Sequence, residues 1–159
     1  MTIPPKSSAL LLLLGLSLLA CKVKNADPKP VTETKRITDG LTGKSWKAQK
    51  VQEGIQTVYQ AKLAGNSYPG YQNYLLTFTG SKAKLTEYTN EAFGGDRAIS
   101  ETGSRTYLTL RNLTPAPTSA GGTIEFEVIT FTTTSLVLTT TKANLKTGNT
   151  INTYTLEPK

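Results

Sequence analysis

A chain of 159 residues with one cysteine, no histidine and a formal charge of +7 excludes several chemistries before any motif is read. A lone cysteine allows no internal disulfide, and the missing histidines remove the commonest general base and metal ligand, with the Ser-His, Cys-His and zinc arrangements built on them. The length suits one domain with its own hydrophobic core and is too short for two.

The N-terminus carries Lys6 and then an apolar run over residues 9–20, shorter than the roughly 20 residues needed to span a bilayer and right for a signal-peptide core. It ends in Leu18-Leu19-Ala20-Cys21, which resembles the bacterial lipobox. That resemblance implies removal of residues 1–20 and acylation of Cys21, palmitate included, as the first residue of the mature chain. Cys21 is then the lipid attachment site and the membrane the first partner. The expected location is the cell envelope, lipid-anchored, in the outer membrane. Residues 21–38 follow as the lipidated cysteine and a polar tether with Pro28 and Pro30 and no apolar period. At about 5 to 6 Å times the square root of its length, such a tether reaches roughly 20 to 25 Å. Residues 22–38 hold five basic groups against two acidic ones, and residues 39–159 twelve against nine. The basic tether either leans on anionic headgroups or is simply a solvated linker.

The domain is expected over residues 39–159. Gly43-Lys44-Ser45 lacks the earlier glycine of a phosphate loop and is followed by strand-like alternation, so neither nucleotide nor nucleic acid is expected as a partner. Trp46, the only tryptophan, is expected to plug one end of a core. Residues 54–73 have no clear period and fit one short helix or a loose strand. They run into a turn-rich loop carrying Tyr68 and Tyr71, with Tyr74 just beyond. These three tyrosines either grip a partner or ligand or fold over a barrel mouth.

From Tyr74 onward the period is two. Leu76 and Phe78, then Ala83, Leu85 and Glu87 after a Gly80-Ser81 turn, predict a hairpin. Gly94-Gly95-Asp96 and Thr102-Gly103-Ser104 read as turns flanking a weak strand over residues 97–101. Leu108 and Leu110 mark the next strand, which ends at Pro115, Pro117 and Gly121-Gly122. Ile124, Phe126 and Val128 alternate with Glu125 and Glu127, placing both acids on the solvent side and not as a catalytic pair. Leu136 and Leu138, then Tyr154 and Leu156 after a turn over residues 146–149, complete the apolar face. Ser81 and Lys84 have acyl-transfer spacing, but three positions apart on a strand they face opposite ways.

These elements predict an all-β protein, an antiparallel up-and-down barrel of about eight strands, with a two-sheet sandwich as the alternative. The succession Leu41-Thr42-Gly43-Lys44-Ser45-Trp46, Leu76-Thr77-Phe78-Thr79-Gly80, Tyr107-Leu108-Thr109-Leu110 and Ser135-Leu136-Val137-Leu138 resembles the lipocalin-like lipoproteins of Bacteroidetes. The resemblance implies a lipocalin-like barrel. It departs from true lipocalins in having two residues between Gly43 and Trp46 and no arginine after Arg111. The inward set Trp46, Leu76, Phe78, Leu85, Leu108, Leu110, Ile124, Phe126, Val128, Leu136, Leu138, Tyr154 and Leu156 either lines a cavity for a small apolar or amphipathic ligand or packs solid. In the second case the barrel is an interaction module or inhibitor with an envelope protein as partner. No nucleophile-base pair survives these geometric tests, so the chain is expected to be non-enzymatic and to need no cofactor or metal.

Overall fold

The structure is a computed structural model that describes Thr2, residues 31–118 and residues 120–159. Apart from Thr2, the signal segment, Cys21 and the tether up to residue 30 lie outside the described residues. The unit Val31–Lys159 holds one helix, α1 (Glu33–Leu41), and nine strands: β1 (Ser45–Glu53), β2 (Gln56–Gln60), β3 (Leu75–Thr79), β4 (Lys82–Thr86), β5 (Ala92–Thr102), β6 (Arg105–Thr114), β7 (Ile124–Phe131), β8 (Leu136–Thr140) and β9 (Asn152–Pro158).

Every pairing is antiparallel. From β3 to β9 each strand pairs with the next, while β1 joins β3 through Ser45–Lys47 on one side and β9 on the other. Eight strands therefore close into an up-and-down barrel, and the sandwich alternative falls. The ninth strand, β2, folds back on the far half of β1 in a register of Lys50 with Gln60 and Glu53 with Gln56. Residues 54–73 thus contain a strand and then a 3-10 turn over Pro69–Asn73. β2 has an outer edge that β3 does not cover. Asn66 covers it instead: its Oδ1 accepts from the Gln60 N–H at 2.7 Å and its Nδ2 donates to the Gln60 carbonyl at 3.0 Å. The Tyr68 N–H adds a bond to the Val58 carbonyl.

Two boundaries differ from the sequence reading. Residues 33–38 are helix and not tether: Thr32 caps α1 by accepting from the Lys35 N–H, and Ile37 and Leu41, one turn apart, are buried. Two apolar positions in a charged stretch are too few to show a helical period, so burial against the barrel decides the conformation. Gly94-Gly95-Asp96 is strand and not turn, because β5 runs unbroken for 11 residues. A Cβ on Gly95 would lie 2.5 Å from the Arg111 carbonyl oxygen, so glycine lets β6 approach where the register shifts between Gly94 and Asp96.

α1 seals one end of the barrel. Thr34 donates from its N–H and Oγ1 to Glu101 at 2.8 and 2.6 Å, and Gly40 lies so close to the Phe131 ring that no larger residue fits unless the ring moves. Arg97, nearly buried on β5, reaches across: Nε donates to the Gly80 carbonyl at 2.8 Å, and Nη2 to the Thr38 carbonyl at 3.1 Å and Thr42 Oγ1 at 2.6 Å. Its guanidinium sits 5.4 Å from the Phe78 ring centroid. A cation thus satisfies the Thr38 carbonyl at the negative end of the helix dipole and ties it to the β3–β4 turn. Trp46 is fully buried at this end, 6.0 Å from Phe131.

Candidate functional site

The opposite end is partly filled by side chains and loops and keeps an open cleft. It collects the β1–β2 tip, residues 61–74, the β4–β5 turn, the β6–β7 loop and the β8–β9 loop. Strand parity first sets a layer of tyrosines here. Tyr154 points inward from β9 and stacks on Tyr74 with centroids 4.6 Å apart and planes 14° off parallel. The turn over Pro69–Asn73, with proline preset for its first position, tips Tyr71 inward against Tyr88 at 4.9 Å and Tyr154 at 6.3 Å. Phe126 meets Tyr154 edge-on at 6.1 Å from below.

Polar groups are built into the same layer. Glu87 continues the inward face of Ala83 and Leu85 and is almost fully buried. Lys146, delivered by the 3-10 turn Leu145–Thr147, places Nζ 2.7 Å from Glu87 Oε2 and 3.2 Å from Glu91 Oε2, above the Phe93 ring. Asn152, fully buried at the start of β9, donates from Nδ2 to Thr147 Oγ1 at 2.9 Å and accepts at Oδ1 from Thr150 Oγ1 at 2.8 Å. Its N–H donates to Thr140 Oγ1. Tyr71 donates its hydroxyl to Glu53 Oε1 at 2.7 Å. Among the described residues Tyr74 Oη alone in this layer is buried with no hydrogen-bond partner.

Burial raises the phenols of Tyr71, Tyr74 and Tyr88, with nearby carboxylate charge adding to the rise. The same causes push Tyr154 up to about 12. For Lys146 burial pulls the ammonium down, but the hydrogen bonds and charges of Glu87 and Glu91 outweigh it, and the group ends above its ordinary value. Lys146 bonding, helped by Thr89, holds exposed Glu91 below the usual carboxylate range.

Two spaces open here. A void of about 30 Å³ lies inside the tyrosine layer, bounded by Tyr71, Tyr74, Tyr88, Tyr154, Phe126 and Glu87 among others. Outside it, a cleft of about 280 Å³ runs between the β6–β7 and β8–β9 loops, walled by Pro117, Thr123, Ile124, Lys142, Asn144 and Leu145. Glu87, Ile124, Thr140 and Asn144 border both, so void and cleft adjoin. The cleft lies just below the usual size of small-molecule sites.

Of the predicted inward set, Trp46, Leu76, Phe78, Leu85, Leu108, Leu110, Phe126, Leu136, Leu138, Tyr154 and Leu156 belong to one buried cluster, with Ile124 and Val128 partly buried against it. Only Leu85, Ile124, Phe126 and Tyr154 of that set border the void. Tyr68 is half exposed, as a contact residue requires. Tyr71 and Tyr74 are buried and cannot meet a partner at the surface, because the 3-10 turn rotates both into the barrel mouth. Glu125 and Glu127 face outward, Glu127 pairing with Arg105 at 3.3 Å. Glu87, Tyr88, Asn144, Lys146 and Asn152 were not among the expected site residues. For Glu87 and Asn152 the signal was parity, since each shares a face with buried apolar neighbours two residues away.

No family model and no curated protein matches the chain. Among solved structures, an uncharacterized protein from Bacteroides eggerthii is similar at 14% identity and a TM-score of 0.42, over 75% of this chain and 99% of that one.

Proposed function

We propose that this chain is a non-enzymatic, lipocalin-like envelope lipoprotein, anchored through acylated Cys21 in the outer membrane, that binds a small amphipathic molecule at the open mouth of its barrel. The observation that carries this reading is the contrast between a filled interior and an open end. The free space within the tyrosine layer is about 30 Å³, whereas the adjoining cleft offers about 280 Å³ with mixed apolar and polar walls. The ligand therefore sits across the rim and not deep in the barrel. Native mass spectrometry of the processed chain, released from membranes in mild detergent, is expected to show an added small mass. A Cys21→Ala chain is expected to remain as precursor without palmitate label. An unliganded mass together with no uptake of short amphipathic probes overturns the binding part, and unchanged labelling overturns the anchor.

A second reading, a protein-interaction module, draws on the exposed apolar residues at the same end. Ile55 is fully exposed at the β1–β2 tip, the N–H of its neighbour Gly54 bonds the carbonyl of exposed Ile151, and Tyr68 is half exposed. Substituting Ile55 and Ile151 by serine is expected to leave small-molecule binding intact and to abolish capture of an envelope partner if that reading holds.

A further inference from the structure

We propose that the mouth of the barrel selects small organic cations, seating a primary ammonium group in the tyrosine-walled void beside Tyr74 Oη while the apolar body of the molecule lies in the outer cleft. This inference rests on the mouth-binding reading and names the class of its ligand.

Three observations converge on a cation. Four tyrosines, Tyr71, Tyr74, Tyr88 and Tyr154, line the void, and an aromatic ring attracts positive charge within about 6 Å of its centroid. The carboxylates outnumber the cations by one: Glu53, Glu87, Glu91 and Glu125 stand at this end against Lys62, Lys142 and Lys146. Lys146 is shared by Glu87 and Glu91, and among the described residues no lysine or arginine pairs with Glu53. The mouth is thus acidic on a domain that is basic overall, and a small cation is drawn to it. Finally, Tyr74 lines the void and its buried Oη has no hydrogen-bond partner, so its lone pairs are unused and can accept from an ammonium N–H.

Size narrows the class. A void of about 30 Å³ holds one or two water-sized groups. It admits –NH₃⁺ and excludes a trimethylammonium head. The apolar body then lies against Pro117, Ile124 and Leu145 in the cleft. No bond is made or broken, and Glu53 and Glu87 act only through their fields.

The test is calorimetric titration of the processed chain in a nonionic detergent, corrected for empty micelles, with n-hexylamine, hexanol, hexanoate and hexyltrimethylammonium. Hexylamine is expected to bind at least about tenfold more tightly than the other three, as desolvated ring–cation contact allows. Tyr74→Phe removes only an unpaired hydroxyl, so the variant folds, and it is expected to lower hexylamine affinity severalfold and hexanol affinity by less, narrowing the amine preference. Equal binding of amine and alcohol, or preference for hexanoate, overturns the cation assignment and leaves the mouth site standing. Binding of the trimethyl compound as tight as that of the amine, or a Tyr74→Phe chain with unchanged amine preference, overturns the seat in the void. No binding by any of the four overturns the mouth site itself.

Discussion

The two ends of the barrel are filled by different physics. At the helix end a secondary-structure element does the work, with α1 burying Ile37 and Leu41 and one arginine gathering three neutral oxygens from the helix C-terminus and the β3–β4 turn. At the other end no helix covers the barrel among the described residues, and tyrosines, a carboxylate–lysine cluster and a buried asparagine fill the space. Both ends keep unpaired polar atoms: Trp46 Nε1 and Arg97 Nη1 at the first, Tyr74 Oη at the second. Of these three residues only Tyr74 lines the void, which adjoins the cleft. An orphaned group alone is therefore weak evidence for a site, and an orphaned group beside accessible space is what separates the mouth from the sealed end.

The largest test of this contrast compares core truncations in the two halves. Phe78→Ala, near α1, and Phe126→Ala, beneath the tyrosines, are each expected to cost about 3 to 5 kcal/mol in urea melts. Phe126 is buried to the same degree as Phe78 within a few percent, so a cost under about 2 kcal/mol at Phe126 alone means the open half is loosely filled.

Lys146→Met is expected to cost about 3 kcal/mol near neutral pH, because it strands the buried Glu87 carboxylate. Its pH dependence sharpens the point. Lys146 and Tyr154 hold their protons more tightly in the folded chain than in the unfolded one, from ordinary values of 10.5 and 10.0. Their contribution is thus fully present below pH 10 and is lost as pH rises through the raised folded values, near 12 for Tyr154. Urea midpoints should fall steadily from about pH 10 upward, with tyrosinate absorbance at the open end appearing only as the barrel unfolds. Early tyrosinate formation by all seven tyrosines near pH 10 contradicts the packed layer.

Arg97→Met is expected to cost about 2 kcal/mol, since the Thr38 and Gly80 carbonyls lose a charged donor while the stem still covers Phe78. Hydrogen exchange should quicken first across α1 and leave the tyrosine layer protected. Smallest of all, Tyr74→Phe is expected to be neutral or to stabilise by up to about 1 kcal/mol, because it deletes a buried hydroxyl that no protein group satisfies. A loss of more than about 1 kcal/mol means that the hydroxyl has a partner in solution.

Most strands were legible because alternation is a local property. Leu76 and Phe78, Leu108 and Leu110, and Leu136 and Leu138 announce their faces without knowledge of partners. What stayed hidden depends on neighbours far along the chain. The shift between Val128 and Thr130 that returns Phe131 to the inside is set by pairing with β8, and the glycines of β5 were misread because their partner is β6. The site was less legible than the fold for the same reason. Parity places Glu87 inward, but its cation stands 59 residues later in a loop whose path no period describes. The tyrosine loop shows its composition and not its rotation, so Tyr71 and Tyr74 could be placed near the mouth but not assigned to its inside.

Asn66 bears on how this barrel meets other chains. Among the described residues closed circular pairing leaves no strand on which another sheet can extend, apart from β2, and there a single carboxamide occupies both the donor and the acceptor of Gln60. A partner that docks by adding a strand must first peel residues 61–68 from that edge. Self-assembly through that edge meets the same barrier.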